Sequence, residues 1–366
     1  MFETDSKRTP LLEFFESLGF NAEGNNGTGH IKIYNSVNDE LHSLYEGVGM
    51  RDISNYGIFE LRGNDVLDFI HRISTNSVKN LPKESAVCTI FTSEKGRIID
   101  STLLLNFEDH QVLISTPSNK MKVKSWIEKY VIMDDVKITN VNESFILLEL
   151  LGPQAESFTA MIGGNAEREI EENQFKVISS DGMVFFLIKL KNEDGKYKFW
   201  ILADVLNGKN IIKNFKDYNG PFDFNFIGTE AYELYRIEQG ITSAPNELNG
   251  KFNPHETNLL NLVDFEKGCY IGQEVIARLD TYDKVQKKIT GITIPEKLIE
   301  MPLLLYDEDS REVGVVTSLT YSEKIDKSIG LAMIRKNYLN DGTNLTAKSE
   351  NGNSFQVTVH NLPFNR

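Results

Sequence analysis

The densest run of reactive side chains is Lys267-Gly268-Cys269-Tyr270-Ile271-Gly272-Gln273-Glu274-Val275-Ile276-Ala277-Arg278, where a thiol and a phenol precede an amide, a carboxylate and a guanidinium. Cations near a thiol favour the thiolate, the form that attacks electrophiles and ligates metals. Residues 267–288 carry five Lys/Arg against three Asp/Glu, so the segment is locally cationic. Cys269 is therefore a candidate working thiol; the competing reading is an inert buried cysteine beside a helix N-terminus. Gly268 and Gly272 permit a tight turn and a close backbone approach on either side of it. Asp100 is the second candidate, a carboxylate set mid-strand between Ile99 and Ser101. There it can accept a proton or stabilise a developing cation, unless it simply faces water from an edge strand. Arg97 and Arg236 serve either to meet ligand carboxylates or to tie neighbouring loops, and Arg236, on a helix, reads as structural. An iron–sulfur cluster normally takes four protein ligands. This chain has two cysteines, Cys88 and Cys269, and six scattered histidines. No resident metal is expected, although a transient cluster shared with a second chain or another thiol stays open. Cys88 lies in an apolar strand pattern and is expected to be buried.

The elements that must hold these residues are legible as alternating patterns. A strand is expected over 58–62, then a helix from about Asn64, its N-cap, with Val66, Phe69, Ile70 and Ile73 on one face. Strands over 87–91 and 98–105 flank the turn Glu94-Lys95-Gly96-Arg97, and 111–116 returns as a hairpin. A helix opening near Pro117 presents Val123, Trp126, Ile127 and Tyr130. Further on come a strand over 145–150, a helix over 154–162 and strands over 184–190 and 197–202 about the turn Asn192-Glu193-Asp194-Gly195. A helix over 229–238 stops at Gly240. Beyond about residue 290 the pattern is of short strands (314–319, 330–333, 345–348, 355–360), with Asn351-Gly352 as a hairpin turn. Hairpins mixed with helices, without regular βαβ spacing, indicate the α+β class. The Gly24–His30 stretch lacks the Lys-Ser/Thr of a phosphate-binding loop and reads as a plain loop.

Composition narrows the function classes. The 366 residues, 40% hydrophobic and 10% aromatic, suffice for two or three folded domains. With 39 Lys+Arg against 53 Asp+Glu the net charge is −14, which disfavours nucleic acid and anionic membranes as partners and favours a monomer. Two cysteines without a CxxC pair fit a reducing compartment. The acidic start Met1-Phe2-Glu3-Thr4-Asp5 lacks the pattern of a secretory signal, and apolar runs are only strand-length. A cytoplasmic location is expected.

KGCYIGQEVIAR resembles the signature of the YgfZ-type folate-binding proteins, which are implicated in maintaining iron–sulfur enzymes and are related to the glycine-cleavage T-protein, an aminomethyltransferase. Gly49-Met50-Arg51-Asp52-Ile53-Ser54, Leu61-Arg62-Gly63-Asn64-Asp65, Ile73-Ser74-Thr75-Asn76 and Lys95-Gly96-Arg97-Ile98-Ile99-Asp100 resemble further parts of that family. So do Arg236-Ile237-Glu238-Gln239-Gly240 with Glu247, Gly314-Val315-Val316-Thr317-Ser318 and Ile329-Gly330-Leu331-Ala332, and the likeness runs from about residue 41 to the end.

The resemblance implies a three-lobed fold around a central channel that holds tetrahydrofolate. Residues 1–290 would form two intertwined α+β lobes dividing near 145, and residues 291–366 a β-barrel. It also implies that Glu247 receives the pterin edge, which a carboxylate can accept bidentately. Asp100 would then lie near the reacting carbon, and Arg97, Lys267, Tyr270, Gln273 and Arg278 would meet the folate. T-proteins carry a Thr-Gly-Glu…Gly-Tyr-Glu segment that the region Asp194-Gly195-Lys196-Tyr197-Lys198-Phe199 does not reproduce, which argues against glycine cleavage itself. Two functions follow as expectations. One is a tetrahydrofolate-binding factor for iron–sulfur assembly or repair, with Cys269 as the thiol and assembly proteins or client enzymes as partners. The other is a tetrahydrofolate-dependent aminomethyl- or methyltransferase that uses Asp100.

Overall fold

Strand-forming runs outnumber helical ones, and in the computed structural model, which describes residues 10–23, 29–164, 169–191, 196–282, 284–298 and 300–364, they build one large sheet, one barrel and a two-stranded ribbon of Ala22–Glu23 with His30–Ile31. The chain packs as two compact units. The first takes Met1–Phe69, Val78–Val87 and Leu103–Tyr232, and the second takes Ile70–Ser77, Cys88–Thr102 and Glu233–Arg366.

In spatial order the sheet runs Phe224–Phe226, Val48–Asp52, Phe145–Leu151, Tyr197–Asp204, Met183–Lys191, Gln174–Ser180, Ser85–Thr92, Ile98–Asn106, Gln111–Ser115, Gly57–Arg62 and Lys137–Asn140. Its described pairings are antiparallel, except that Phe224–Phe226 runs parallel to Val48–Asp52. Alternation decides which side is dry. Ile146, Leu148 and Leu150 point with Phe199, Ile201 and Ala203 into the first unit's core. That core also takes Leu12 and Phe15 of the helix Leu12–Ser17, Phe158 of Ala155–Gly163 and Ile211, Ile212 and Phe215 of Val205–Asp217.

The helix Val66–Ile73 buries Val66, Phe69, Ile70 and Ile73, the face its periodicity indicates. Asn64 does not cap it. The Asn64 backbone and side-chain N–H groups both donate to Asp135 Oδ2 at 2.9 Å, and the first helical bond runs from Phe69 N to Asp65 O. Lys120–Tyr130 is the helix expected after Pro117; Val123 and Ile127 are buried, while Trp126 and Tyr130 are half-covered. Several elements have no counterpart in the sequence reading, among them the helices Val37–Tyr45 and Val205–Asp217 and the strands Lys137–Asn140, Gln174–Ser180 and Phe224–Phe226. Asn192-Glu193-Asp194-Gly195 and most of the 24–30 loop lie outside the described residues.

In the second unit, six strands close into a barrel: Lys287–Ile294, Lys327–Arg335, Glu312–Ser322, Leu303–Tyr306, Asn344–Ser349 and Ser354–His360, the last pairing back with the first. Closure removes both sheet edges. The interior holds Ile292, Leu303, Leu305, Val316, Ala332, Ile334, Leu345, Ala347, Val357 and Val359. Asn351-Gly352 forms the hairpin turn expected of it, with Gly352 at φ 87°. Among the described residues no helix is long and apolar enough to cross a membrane.

Candidate functional site

All eight site residues read from the sequence fall within the second unit. The signature segment is an arch tied down at both feet. At one foot, Lys267 Nζ donates to three backbone carbonyls, His71 at 2.6 Å and Ser74 and Asn76 at 2.7 Å. These lie in and just beyond the last turn of Val66–Ile73, where helix carbonyls have no helical donor and a cation is favoured. At the other foot, Ile271 N donates to Arg72 O at 3.3 Å and Ile271 O accepts from Thr92 Oγ1 at 2.7 Å. Between the feet, Tyr270 is buried in a small apolar cluster with Val263 and Ile276, and Gly268 and Cys269 stand exposed at the crest.

This geometry changes two assignments. Lys267 is 8% exposed and spent on carbonyls, so it serves as a helix cap and not as a cation offered to an anion. Burial pulls its ammonium down to about 8, opposed by the Asp264 carboxylate. Burial likewise pushes the Tyr270 phenol up to about 12, with Asp264 adding to the rise. Cys269 is exposed, which removes the inert-core reading, whereas Cys88 is half-covered and not buried as its pattern suggests.

Gly272 begins the helix Gln273–Thr281 at φ 87°, and a Cβ there would lie 2.5 Å from Ser93 O and 3.1 Å from Gly96 Cα. The signature thus packs glycine to glycine against the 93–97 turn. Gly268 has no atom within 4 Å of a would-be Cβ, so nothing in its surroundings requires glycine. Gln273 is half-covered and Arg278 exposed on the same helix.

That turn leads into Ile98–Asn106, where Asp100 is 0% exposed. The strand lies inside the sheet order, which rules out a carboxylate facing water from an edge. Arg97 is 40% exposed at its side chain, and its Nη1 donates to Lys251 O at 2.9 Å and Glu256 Oε2 at 3.0 Å.

Glu247 is 0% exposed; its Oε2 accepts from Ser243 N at 2.9 Å and its Oε1 from Ser318 Oγ at 2.8 Å. Ser318 also accepts from Arg236 Nη2 at 2.8 Å and Asn246 Nδ2 at 3.0 Å, which uses its full hydrogen-bonding capacity. The barrel register slips between Val316 and Ser318, and such a bulge re-aims the side chain that follows. Arg236, 2% exposed, adds bonds to Glu233 and to Ile241 O, with Glu247 3.6 Å away. Both carboxylate oxygens of Glu247 are therefore engaged by the chain itself, which makes it the centre of a lock onto the barrel in this structure.

One cluster escaped the sequence reading. In the first unit Arg51, Glu149 and Trp200 stand in register on three adjacent strands. Glu149 accepts from Arg51 Nη1 at 2.7 Å and from Trp200 Nε1 at 3.0 Å, and the Arg51 guanidinium lies 3.1 Å over the Tyr232 ring. The signal was present in Phe145–Leu151, whose one charged residue is Glu149. Among the described residues no group of three His, Cys, Asp or Glu is arranged to hold a metal ion.

Comparison with known proteins gives concordant matches. Residues 14–267 match the family model described as the GCVT N-terminal domain, and residues 287–365 match the glycine cleavage T-protein C-terminal barrel domain. An aminomethyltransferase of Thermotoga maritima is 25% identical over 361 residues, 98% of either chain, and one of Thermosipho melanesiensis is 28% identical over 345 residues, 91% of this chain and 90% of that one. The crystal structure of the glycine cleavage system aminomethyltransferase T from Bartonella henselae superposes with a TM-score of 0.83 at 20% identity, covering 99% of this chain and 98% of that chain. The fold is shared.

Proposed function

Because the chain belongs to the glycine-cleavage T-protein family, we propose that it is a tetrahydrofolate-dependent aminomethyl- or methyltransferase in which Asp100 attends the reacting carbon. Tetrahydrofolate is the folate on which aminomethyltransferases of this family act. The observation that carries the reading is the complete burial of Asp100 in an interior strand. Outside bulk water a carboxylate interacts more strongly with a nearby cation. As an amine leaves an aminomethyl carbon, the iminium cation that forms gains most from such a group. Asp100 can also take up the proton that a folate nitrogen loses on bonding to that carbon.

The test is formation of methylene-tetrahydrofolate from an aminomethyl donor under anaerobic conditions. Asp100→Asn should lower the rate by about 100-fold, the usual scale for a lost electrostatic contact. Wild-type turnover no greater than that of Asp100→Asn would sink the reading.

A second reading, assistance to iron–sulfur assembly or repair through Cys269, is supported by the exposed thiol at the crest of a fastened arch. It requires that Cys269→Ser fail to restore iron–sulfur enzyme activity in cells lacking the protein, and full restoration would dismiss it.

A further inference from the structure

An asparagine followed by glycine is a reactive pair, because glycine lacks the Cβ that would shield its amide nitrogen from the asparagine carboxamide. The chain has five such pairs, at Asn26, Asn207, Asn219, Asn249 and Asn351. The first lies outside the described residues. Three of the others are tied down. Asn207 sits in the helix Val205–Asp217, its Oδ1 accepting from Val184 N at 3.0 Å and its Nδ2 donating to Asp204 Oδ2 at 2.5 Å. Asn249 Oδ1 accepts from Lys251 N at 3.0 Å, and its Nδ2 donates to Asn246 O at 2.7 Å. At the barrel hairpin Asn351 Nδ2 donates to Glu300 Oε1 at 2.6 Å, and Gly352 N, the atom that would attack, donates to Ser349 O at 3.0 Å. Asn219 differs. It is half-exposed just past the end of Val205–Asp217, and Gly220 is exposed. Among the described residues neither the Asn219 carboxamide nor Gly220 N has a hydrogen-bond partner.

We propose that Asn219 is a site of spontaneous deamidation, and that the change loosens the edge strand Phe224–Phe226 of the first unit. Gly220 N gives up its proton to water and bonds to Asn219 Cγ, while the Cγ–Nδ2 bond breaks and ammonia leaves. Water then opens the cyclic imide. Cleavage of its N–Cγ bond leaves aspartate; cleavage of the bond from N to the backbone carbonyl carbon leaves isoaspartate, with an extra carbon in the main chain. No electrons are transferred, and water is the co-reactant. The product acts through its position. A new carboxylate joins Asp217 at the helix C-terminus, where unpaired carbonyls disfavour an anion. The connector beyond it carries Phe222, edge-on to Phe158 with ring centroids 5.5 Å apart, and Asp223, whose carbonyl accepts from Val48 N at 2.8 Å. An extra main-chain carbon at 219 displaces both of these anchors of the edge strand.

The full chain, folded and urea-unfolded, is aged at mildly alkaline pH, and each pair is followed by mass spectrometry in its own tryptic peptide. These peptides are Phe199–Lys209, Asp217–Arg236, Ile237–Lys251 and Ser349–Arg366. In the unfolded chain the four asparagines should react at similar rates, since local sequence alone then decides. In the folded chain Asn219 should keep its unfolded rate within about threefold, while the other three slow by about tenfold, the factor for breaking one hydrogen bond before attack. Slowing of Asn219 as great as that of Asn249 or Asn351 overturns the site. The loosening is read at Val48 N–H, the donor to Asp223 O, by amide exchange. It should exchange about threefold faster in Asn219→Asp, which carries the product's charge, than in Asn219→Gln, which keeps the amide. The isoaspartyl form, separated from aged protein by anion exchange, should exchange faster still. Equal exchange at Val48 in the isoaspartyl and unaged proteins overturns the loosening.

Discussion

A buried ammonium must find three acceptors, and Lys267 finds them in the carbonyls of His71, Ser74 and Asn76. Lys267→Met keeps the length of the stem and leaves three covered carbonyls without their donor, at a cost of about 2–4 kcal/mol. Urea unfolding should show it as a lowered midpoint with an unchanged slope. If the variant is as stable as wild type and loses folate affinity instead, Lys267 is a ligand contact and not a cap. The same contrast runs through the other charged positions. Sequence gave their types and their neighbourhood, since Arg97, Glu247 and Lys267 all stand in motif segments. It gave no partners, because Glu256, Ser318 and the 71–76 carbonyls lie 71 to 196 residues away along the chain. Asp100 was legible for the opposite reason: the one charged residue of the strand Ile98–Asn106 is conspicuous without knowing what surrounds it.

At the scale of elements, the arch depends on one glycine and not on its twin. An alanine at 272 must hold a left-handed φ of 87° and push its Cβ to 2.5 Å from Ser93 O. Gly272→Ala should therefore cost about 2–4 kcal/mol, a left-handed penalty plus a backbone clash. Gly268→Ala, with open space around it, should stay within about 0.5 kcal/mol. Equal unfolding midpoints for the two variants would mean that the 93–97 turn and the signature are not packed together. Elements with clean periodicity, such as Val66–Ile73 and Phe145–Leu151, were visible in the sequence. Val205–Asp217 was hidden because Asn207, Gly208, Asn210 and Asn214 are weak helix formers. What holds it is tertiary: Asp204 caps Leu206 N and Asn207 N, and at Gly208 the backbone comes so close that a Cβ would meet Ile146 Cγ1 at 2.4 Å.

On the scale of the whole molecule, the barrel is contiguous in sequence and the sheet is not. Every barrel strand lies between Lys287 and His360, so a run of short strands sufficed to announce it. In the sheet, Val48–Asp52 sits between Phe145–Leu151 and Phe224–Phe226, an order that no local pattern encodes. This difference also separates how the units can be probed. Both tryptophans, Trp126 and Trp200, belong to the first unit, so indole fluorescence follows that unit, and the barrel must be followed by amide exchange. Asp307 supplies the pH handle. Its Oδ2 accepts from Tyr338 OH at 2.7 Å and Arg311 Nε at 2.8 Å, and its Oδ1 accepts from Arg311 N at 2.9 Å. The Tyr338 bond first, then those from Arg311, hold its carboxyl down at about 2, below the ordinary 3.8. A depressed carboxyl contributes stability above its unfolded value and loses it as pH falls toward the folded one. Exchange protection of Lys327–Arg335, corrected for intrinsic rates, should therefore decline in wild type between about pH 4 and pH 2. Asp307→Asn should start lower at pH 5, decline less, and meet wild type near pH 2, while fluorescence of the first unit stays the same in both. Parallel exchange profiles for the two proteins across this range would mean that Tyr338 and Arg311 do not hold Asp307 in its charged form.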